Sequence, residues 1–286
     1  ANPTPEDKLA PYLPKDWSAA LSNQQGLEAV FHQDPAAVKA HAYQDVPLAD
    51  NGAPYPVLIF EPGYGQIATD YTVLAEDLAS HGYVVAGVTP LESAPVVVMP
   101  DGRVITRTPS GSLSETPGAD LTRAASALMV TWNADMRSTW TQLNTLNRDP
   151  GKWQGRLRMS KTGFFGHSFG GATAVDTCAD QVECLAAADL DGALYEPVLM
   201  EGLLKPTLFI WPESGADAST QNLPNSASAA VTTQTLSGAQ HFNFTDQSLL
   251  FGPLLRFSGN LGPADAVQTL QIVRASLVDF FDKLVK

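Results

Sequence analysis

The sequence predicts an α/β protein, with a mostly parallel central β-sheet and helices on both of its faces. Three observations predict it. Short apolar runs bounded by turn residues alternate with stretches of helical spacing, which is how buried parallel strands and their covering helices read. Hydrophobic residues make up 44% of the 286 residues and charged ones only 16%, a composition that supports a sizeable core. No internal repeat, low-complexity tract or linker divides the chain, so a single domain over residues 1–286 is expected.

The elements follow in order. Residues 1–50 are Pro-rich and read as an irregular N-terminal segment with one short helix near Asn23–Phe31. Pro56–Phe60 is a buried strand that runs into the tight loop Glu61-Pro62-Gly63-Tyr64-Gly65. Thr69 or Asp70 is the expected cap of a helix with Tyr71, Leu74 and Leu78 on one face, and Gly82 stops it. Tyr83–Val88 is the next strand. Residues 91–118 interrupt the alternation. Val96–Met99 and Val104–Thr106 flank Pro100-Asp101-Gly102, a hairpin signal, and Ser110–Gly118 is a polar loop, so the stretch reads as a surface insertion.

A long helix is expected over Asp120–Asn147, because Leu121, Ala125, Leu128, Trp132, Met136, Trp140 and Leu143 recur at steps of three and four. Thr162–Phe165 is a strand and Gly170–Cys178 a helix. Leu185–Leu190, Thr207–Trp211 and Val231–Leu236 are further strands. Val267, Leu270, Val273, Leu277, Phe281 and Leu284 stripe a last helix.

Charge and cysteines exclude several classes of function. The formal charge is −13, from 17 Lys and Arg against 30 Asp and Glu, with no basic cluster, so no nucleic-acid partner is expected. No run of 18 apolar residues occurs, hence no transmembrane segment. Cys178 and Cys184 do not form a CxxC pair, which argues against a zinc or redox site. They fall at the end of one predicted helix and the start of the next strand, and a disulfide there would pin the turn. Together with the polar opening Ala1-Asn2-Pro3-Thr4-Pro5, this gives a secreted or periplasmic chain as the expectation.

The chemistry centres on Gly166-His167-Ser168-Phe169-Gly170, the one G-x-S-x-G in the chain, set between a predicted strand and a helix start. A sharp strand-to-helix turn presents the Ser168 hydroxyl above the sheet edge. Glycines at 166 and 170 remove side chains that would collide there. The backbone N–H of Phe169 then points at the same spot and suits an oxyanion, and the N–H of Tyr64 in the loop after the early strand is the second candidate donor. A serine needs a base. Of His32, His41, His81, His167 and His241, only His241 follows Ser168, as the order serine, acid, histidine of α/β-hydrolases requires. For the acid, pattern alone leaves two loops open: Asp191 (or Asp189, two positions earlier) and Glu213 or Asp217 after the following strand.

With these residues in hand the chain resembles the type II platelet-activating-factor acetylhydrolase family and its bacterial dienelactone-hydrolase-like relatives. The resemblance runs from about residue 50 to 286. It is carried by Phe60–Gly65, Leu78–Ala86, Phe165–Thr173, Asp189-Leu190-Asp191-Gly192 and His241-Phe242-Asn243-Phe244. It implies an α/β-hydrolase fold, with Ser168 as nucleophile, Asp191 as acid, His241 as base, and the amides of Tyr64 and Phe169 as the oxyanion hole. It also implies no metal and no cofactor, and substrates that are esters of short or oxidised acyl chains, including lipids. Pro62 stands where many relatives carry His before the glycine. The family usually has an N-terminal β-hairpin, and this chain is expected to begin just after it.

The expected function is hydrolysis of carboxylic esters, framed by three competitors: a phospholipase A2 or platelet-activating-factor acetylhydrolase, a polyester hydrolase, and a non-catalytic binding protein of the same fold. The last would typically have lost a member of the serine, acid and histidine set, and here all three are in order.

Overall fold

The apolar runs form the strands, and the periodic stretches form the helices between them. The computed structural model describes residues 8–25, 35–49, 52–113, 116–196, 198–221, 230–257 and 259–286. In chain order these hold β1 (Leu9–Pro11), α1 (Lys15–Gln25), β2 (Lys39–Tyr43), β3 (Tyr55–Glu61), α2 (Thr72–Ser80), β4 (Val84–Gly87), β5 (Val96–Val98) and β6 (Val104–Thr106). There follow α3 (Gly118–Arg148), β7 (Leu157–His167), α4 (Phe169–Asp180), β8 (Cys184–Leu190), α5 (Val198–Glu201), β9 (Thr207–Trp211), α6 (Ala218–Gln221), β10 (Val231–Thr235), α7 (Gln247–Leu250), α8 (Gly252–Phe257) and α9 (Ala266–Leu284).

Six strands pair in one sheet in the order β10-β9-β8-β7-β3-β4, and every pair is parallel. All of β3 is buried, as a strand covered on both faces must be. Its alternate side chains serve two different cores. Leu58 and Phe60 pack with Leu74 and Leu78 of α2 and with Leu270, Val273, Leu277 and Phe281 of α9. Val57 and Ile59 pack with Met136 of α3 and with Ala174 and Val175 of α4. A buried polar clamp joins α3 to α4: Asn133 Nδ2 donates to Asp176 Oδ2 at 2.5 Å, and Thr177 Oγ1 donates to Asn133 Oδ1 at 2.6 Å. Cys178 and Cys184 form the expected disulfide across the α4–β8 turn. Among the described residues, no helix is long and apolar enough to cross a membrane.

Five local expectations differ from what is observed. The N-terminal segment is more regular than expected: β1 and β2 pair antiparallel, Leu9 with Tyr43 and Pro11 with Lys39. The helix expected near Asn23–Phe31 begins earlier, at Lys15, and residues 26–34 lie outside the described ones. The hairpin forms, with Val96 opposite Thr106 and Val98 opposite Val104, but it does not lie loose on the surface. Ala94, Val96 and Val97 are buried, and Ala94 and Val97 pack with Tyr12, Leu13 and Ile67. Trp132 Nε1 of α3 donates to Ser93 Oγ at 3.0 Å, which ties the same stretch to the sheet-covering layer.

The cap of α2 was also placed too locally. Asp70 accepts from the N–H of Ile67 at 3.1 Å and so starts a short 3-10 turn over Ala68–Tyr71. The first turn of α2 itself is held by Asp246, whose Oδ2 accepts from Val73 N–H at 3.1 Å across 173 positions of sequence. Two stripe residues lie outside the core, Leu121 at 43% and Val267 at 53% exposure, each in the first turn of its helix.

Candidate active site

Three loops meet at the carboxyl edge of the sheet, and each carries one of the residues singled out above. Ser168 joins β7 to α4 with φ 55° and ψ −126°, a conformation that costs a residue with a side chain about 1–3 kcal/mol. Close packing on both sides enforces it. A β-carbon at Gly166 would strike the backbone of Gly170 and Gly171, and one at Gly170 would strike the carbonyl oxygens of Glu61 and Pro62. The N–H of Ser168 donates to the carbonyl of Leu190 at 2.8 Å, so the elbow is bonded to the residue just before Asp191. Phe169 opens α4, where an N–H has no partner inside the helix. Its ring packs edge-on against Trp132 at 4.7 Å and against Tyr195 at 5.7 Å.

Asp191 follows β8 and is also in the left-handed region, at φ 56°. Its N–H donates to Ile210 O at 2.9 Å. The carboxylate reaches His241, with Oδ2 2.6 Å from Nδ1. The pair is partly open to solvent, His241 at 42% and Asp191 at 19% of the side chain. His241 begins a one-turn 3-10 helix, His241–Phe244, that is clamped from below. Buried Asn243 accepts from the N–H of Gln240 and of Gly262, both at 2.8 Å.

Tyr64 lies in the loop after β3. Its hydroxyl accepts from Leu113 N–H at 2.8 Å, and the Arg107 guanidinium stands 5.0 Å from its ring centre. Gly65 has φ +78°, a left-handed conformation that favours glycine there. The stretch after β4 is therefore bolted onto the loop that carries Tyr64.

The other acids are placed differently. Asp189 is fully buried beneath the elbow, and burial first, then the charge of Asp191, holds its carboxyl well above the usual carboxylate range. A β-carbon at Gly171 or Gly192 would strike that carboxyl group. Glu61, at the end of β3, is likewise buried and held in its neutral form by burial, with a contribution from Asp135. Glu213 is exposed. Asp217 caps α6, accepting from Ser219 N at 2.8 Å and Ser219 Oγ at 2.6 Å.

Sequence reading passed over the residues that surround the histidine. His167 appears there only as a variable position of the motif, and Tyr71 only as part of a core stripe. His167 is fully buried. Its Nε2 lies 3.1 Å from the carbonyl oxygen of His241 and its Nδ1 lies 2.7 Å from Tyr71 Oη. Its ring stacks at 4.4 Å from that of His241. These partners are 74 and 96 positions away, so no local pattern announces them. Among the described residues, His167, Asp191 and His241 are the one group with metal-ligand atoms close together, within 4.8 Å. Those atoms are committed to hydrogen bonds, Asp191 with His241 and His167 with Tyr71 and the His241 backbone, an arrangement that suits proton transfer.

Comparison with known proteins adds a family. The family model described as platelet-activating factor acetylhydrolase, isoform II, matches residues 17–96 and 126–286. A platelet-activating factor acetylhydrolase of Cavia porcellus is 25% identical over 275 residues, covering 86% of this chain and 61% of the relative. That of Bos taurus is 26% identical over 283 residues, covering 88% and 61%. The chain thus spans about three-fifths of the length of these curated relatives. The solved structure of a ferulic acid esterase from Streptomyces cinnamoneus matches with a TM-score of 0.77 and 28% identity, over 100% of this chain and 80% of that one. The matched neighbour and the parallel sheet between two helical layers make this an α/β-hydrolase fold.

Proposed function

The chain belongs to the platelet-activating factor acetylhydrolase, isoform II, family, and from that premise we propose that it is a serine hydrolase of carboxylic esters. The observation that carries the reading is the 2.6 Å bond between Asp191 and His241, beside a strained serine at the sheet edge. Ser168 Oγ attacks the ester carbonyl carbon and passes its proton to His241 Nε2. Asp191 accepts from Nδ1–H, which fixes the tautomer and stabilises the imidazolium that forms. The carbonyl oxygen becomes an oxyanion held by the N–H groups of Tyr64 and Phe169. Collapse expels the alcohol with the proton from His241, and a water then releases the acid from Ser168 by the same steps reversed.

The acyl group is short. Support comes from the curated relatives, which are named for an acetyl ester of a lipid. The solved neighbour is named for ferulic acid esters, so an aromatic acyl group is the informative comparison. The disulfide Cys178–Cys184 supports an exported protein, since such bonds persist in oxidising compartments.

The decisive experiment is labelling and turnover together. An organophosphate should modify the protein once, at Ser168, and Ser168→Ala should fold normally and retain only residual activity, a loss of about 10⁴–10⁶ in turnover. Label on another residue, or an active alanine variant, would overturn the assignment. For substrate, p-nitrophenyl acetate and butyrate should be cleaved faster than the palmitate ester and faster than methyl ferulate. Preference for the palmitate would remove the short-acyl reading and leave the serine mechanism standing.

A further inference from the structure

The hydrogen bonds around His167 have a direction, and it can be worked out from which atoms carry protons. The His241 carbonyl oxygen, 3.1 Å from His167 Nε2, can only accept, so the proton is on Nε2. Burial, and then the neighbouring His241, push His167 well below the usual imidazole range and keep the ring neutral. Nδ1 is therefore a bare lone pair, and the Tyr71 hydroxyl, at 2.7 Å the nearer of its two polar neighbours (Gln66 is at 3.3 Å), donates to it. With its one proton committed, Tyr71 Oη can only accept from its other neighbours. Gly63 N–H, at 3.1 Å, is one of them.

The other is the side-chain amide of Gln66, whose oxygen faces Tyr71 Oη and also lies 3.3 Å from the bare His167 Nδ1, while its nitrogen is buried without a partner. Two acceptors would then face each other. Turning the amide by half a revolution replaces that clash with an N–H donated to Tyr71, and leaves one acceptor, instead of two N–H donors, in the buried place without a partner. The opposite direction fails, because it leaves a bare Nε2 lone pair against the His241 carbonyl oxygen. All the bonds now run one way: Gly63 and Gln66 into Tyr71, Tyr71 into His167, His167 into the backbone of His241. Each polarises the next in a buried setting.

We propose that Tyr71 and His167 are positioning residues that hold the Gly63-Tyr64 loop and the His241 turn in one register. They neither touch substrate nor move its protons. They fix the distance between an oxyanion donor and the base, which arise on loops far apart in sequence. The proposal rests on the ester-hydrolase reading above, and its tests separate from it.

The protonation state is read first, without any substrate. In protein labelled with ¹⁵N-histidine, long-range ¹H–¹⁵N spectra should show His167 as the neutral Nε2–H tautomer. A proton on Nδ1 would overturn the proposal. In turnover of p-nitrophenyl acetate, Tyr71→Phe should lower kcat by about 10- to 100-fold and leave KM within a few-fold, the signature of a misplaced catalytic geometry. A wild-type kcat would overturn it. Should Tyr71→Phe not fold, His167→Gln and His167→Leu decide. The glutamine can place an N–H near the His241 carbonyl, so it should keep about ten times the kcat of the leucine variant; equal kcat would overturn the proposal. Wild-type protein that neither hydrolyses esters nor takes the organophosphate fails the functional reading itself, before any variant is made.

Discussion

Asp189 and Asp191 stand two residues apart on one strand end and have opposite environments. Asp189 points into the sealed space under the elbow, among backbone that leaves no room for a β-carbon at Gly171 or Gly192. Burial holds it as a neutral acid. Asp191, at the rim, is partly exposed and bonded to an imidazole. Glu61 repeats the interior case two strands away, at the end of β3. The difference teaches that a carboxyl group near the proposed nucleophile is not thereby part of its chemistry. Only the rim offers both a partner for a negative charge and the solvation that sustains one.

The sharpest way to break this comparison is to make the same change at both positions. Asp191→Asn keeps the shape but can present the wrong partner to His241 Nδ1, and should lower turnover by about 10⁴. Asp189→Asn replaces a neutral acid with a neutral amide of the same size, and turnover should stay near wild type with an unchanged circular dichroism spectrum. A dead Asp189→Asn beside an active Asp191→Asn would invert the assignment. Glu213→Gln and Asp217→Asn should each retain most activity, since neither carboxylate is bonded to the histidine.

A second interior cluster extends the contrast to stability. Burial raises Asp246 to about 8 and Asp70 to about 6 in the folded protein. In the unfolded chain both ionise near the ordinary value of about 4. Between these limits the native state holds protons that the unfolded state has shed. The contribution to stability is complete below pH ~4, falls as pH rises through 6 and 8, and then levels off. Asp246→Asn still offers an oxygen to Val73 N–H and carries no charge to bury. Relative to wild type it should gain a few kcal/mol between pH 5 and pH 9, at about 1.4 kcal/mol per pKa unit. Urea unfolding at both pH values reads this. A difference between variant and wild type that does not change with pH would show that Asp246 is ionised in the fold.

Smaller effects test the edges of the site. Replacing Cys178 and Cys184 with serine should cost about 2 kcal/mol, because the closed loop is short. Intact mass before and after reduction should differ by the two hydrogens of one disulfide, and a native protein with two alkylatable thiols would count against it and against export. Asp217→Ala should cost about 1 kcal/mol through the lost cap of α6, read as a lowered melting temperature with turnover retained. Loss of activity there would reopen the second candidate loop.

How much of this was legible in the sequence depends on how far apart the partners lie. The central strands were readable, because parallel strands buried on both faces are apolar runs such as Val57–Phe60. The elbow was readable because its geometry forces glycines at 166 and 170. His241 followed from chain order alone. The acid was not separable by pattern, since Asp191 and Asp217 both follow strands that end at the same sheet edge, and only the family resemblance favoured Asp191. The cap on α2, the packing of Val97 against Tyr12 and Leu13, and the surroundings of His167 were invisible. Each is made by residues distant in sequence, and none leaves a local period or motif. The short β1 and β2 escaped for another reason: Leu9–Pro11 contains a proline and too few residues to alternate.

The Asp246 cap has a consequence for biosynthesis. Residues emerge from the ribosome in order, and Val73 leaves 173 positions before Asp246, the side chain that satisfies the first turn of α2. Until that moment Val73 N–H has only water. Nascent chains halted shortly before Asp246 should therefore be nicked by protease within α2, and chains released a few dozen residues later should resist. The first turn of α2 is thus completed by a residue made 173 positions later, so a chain stopped before Asp246 holds α2 without that cap.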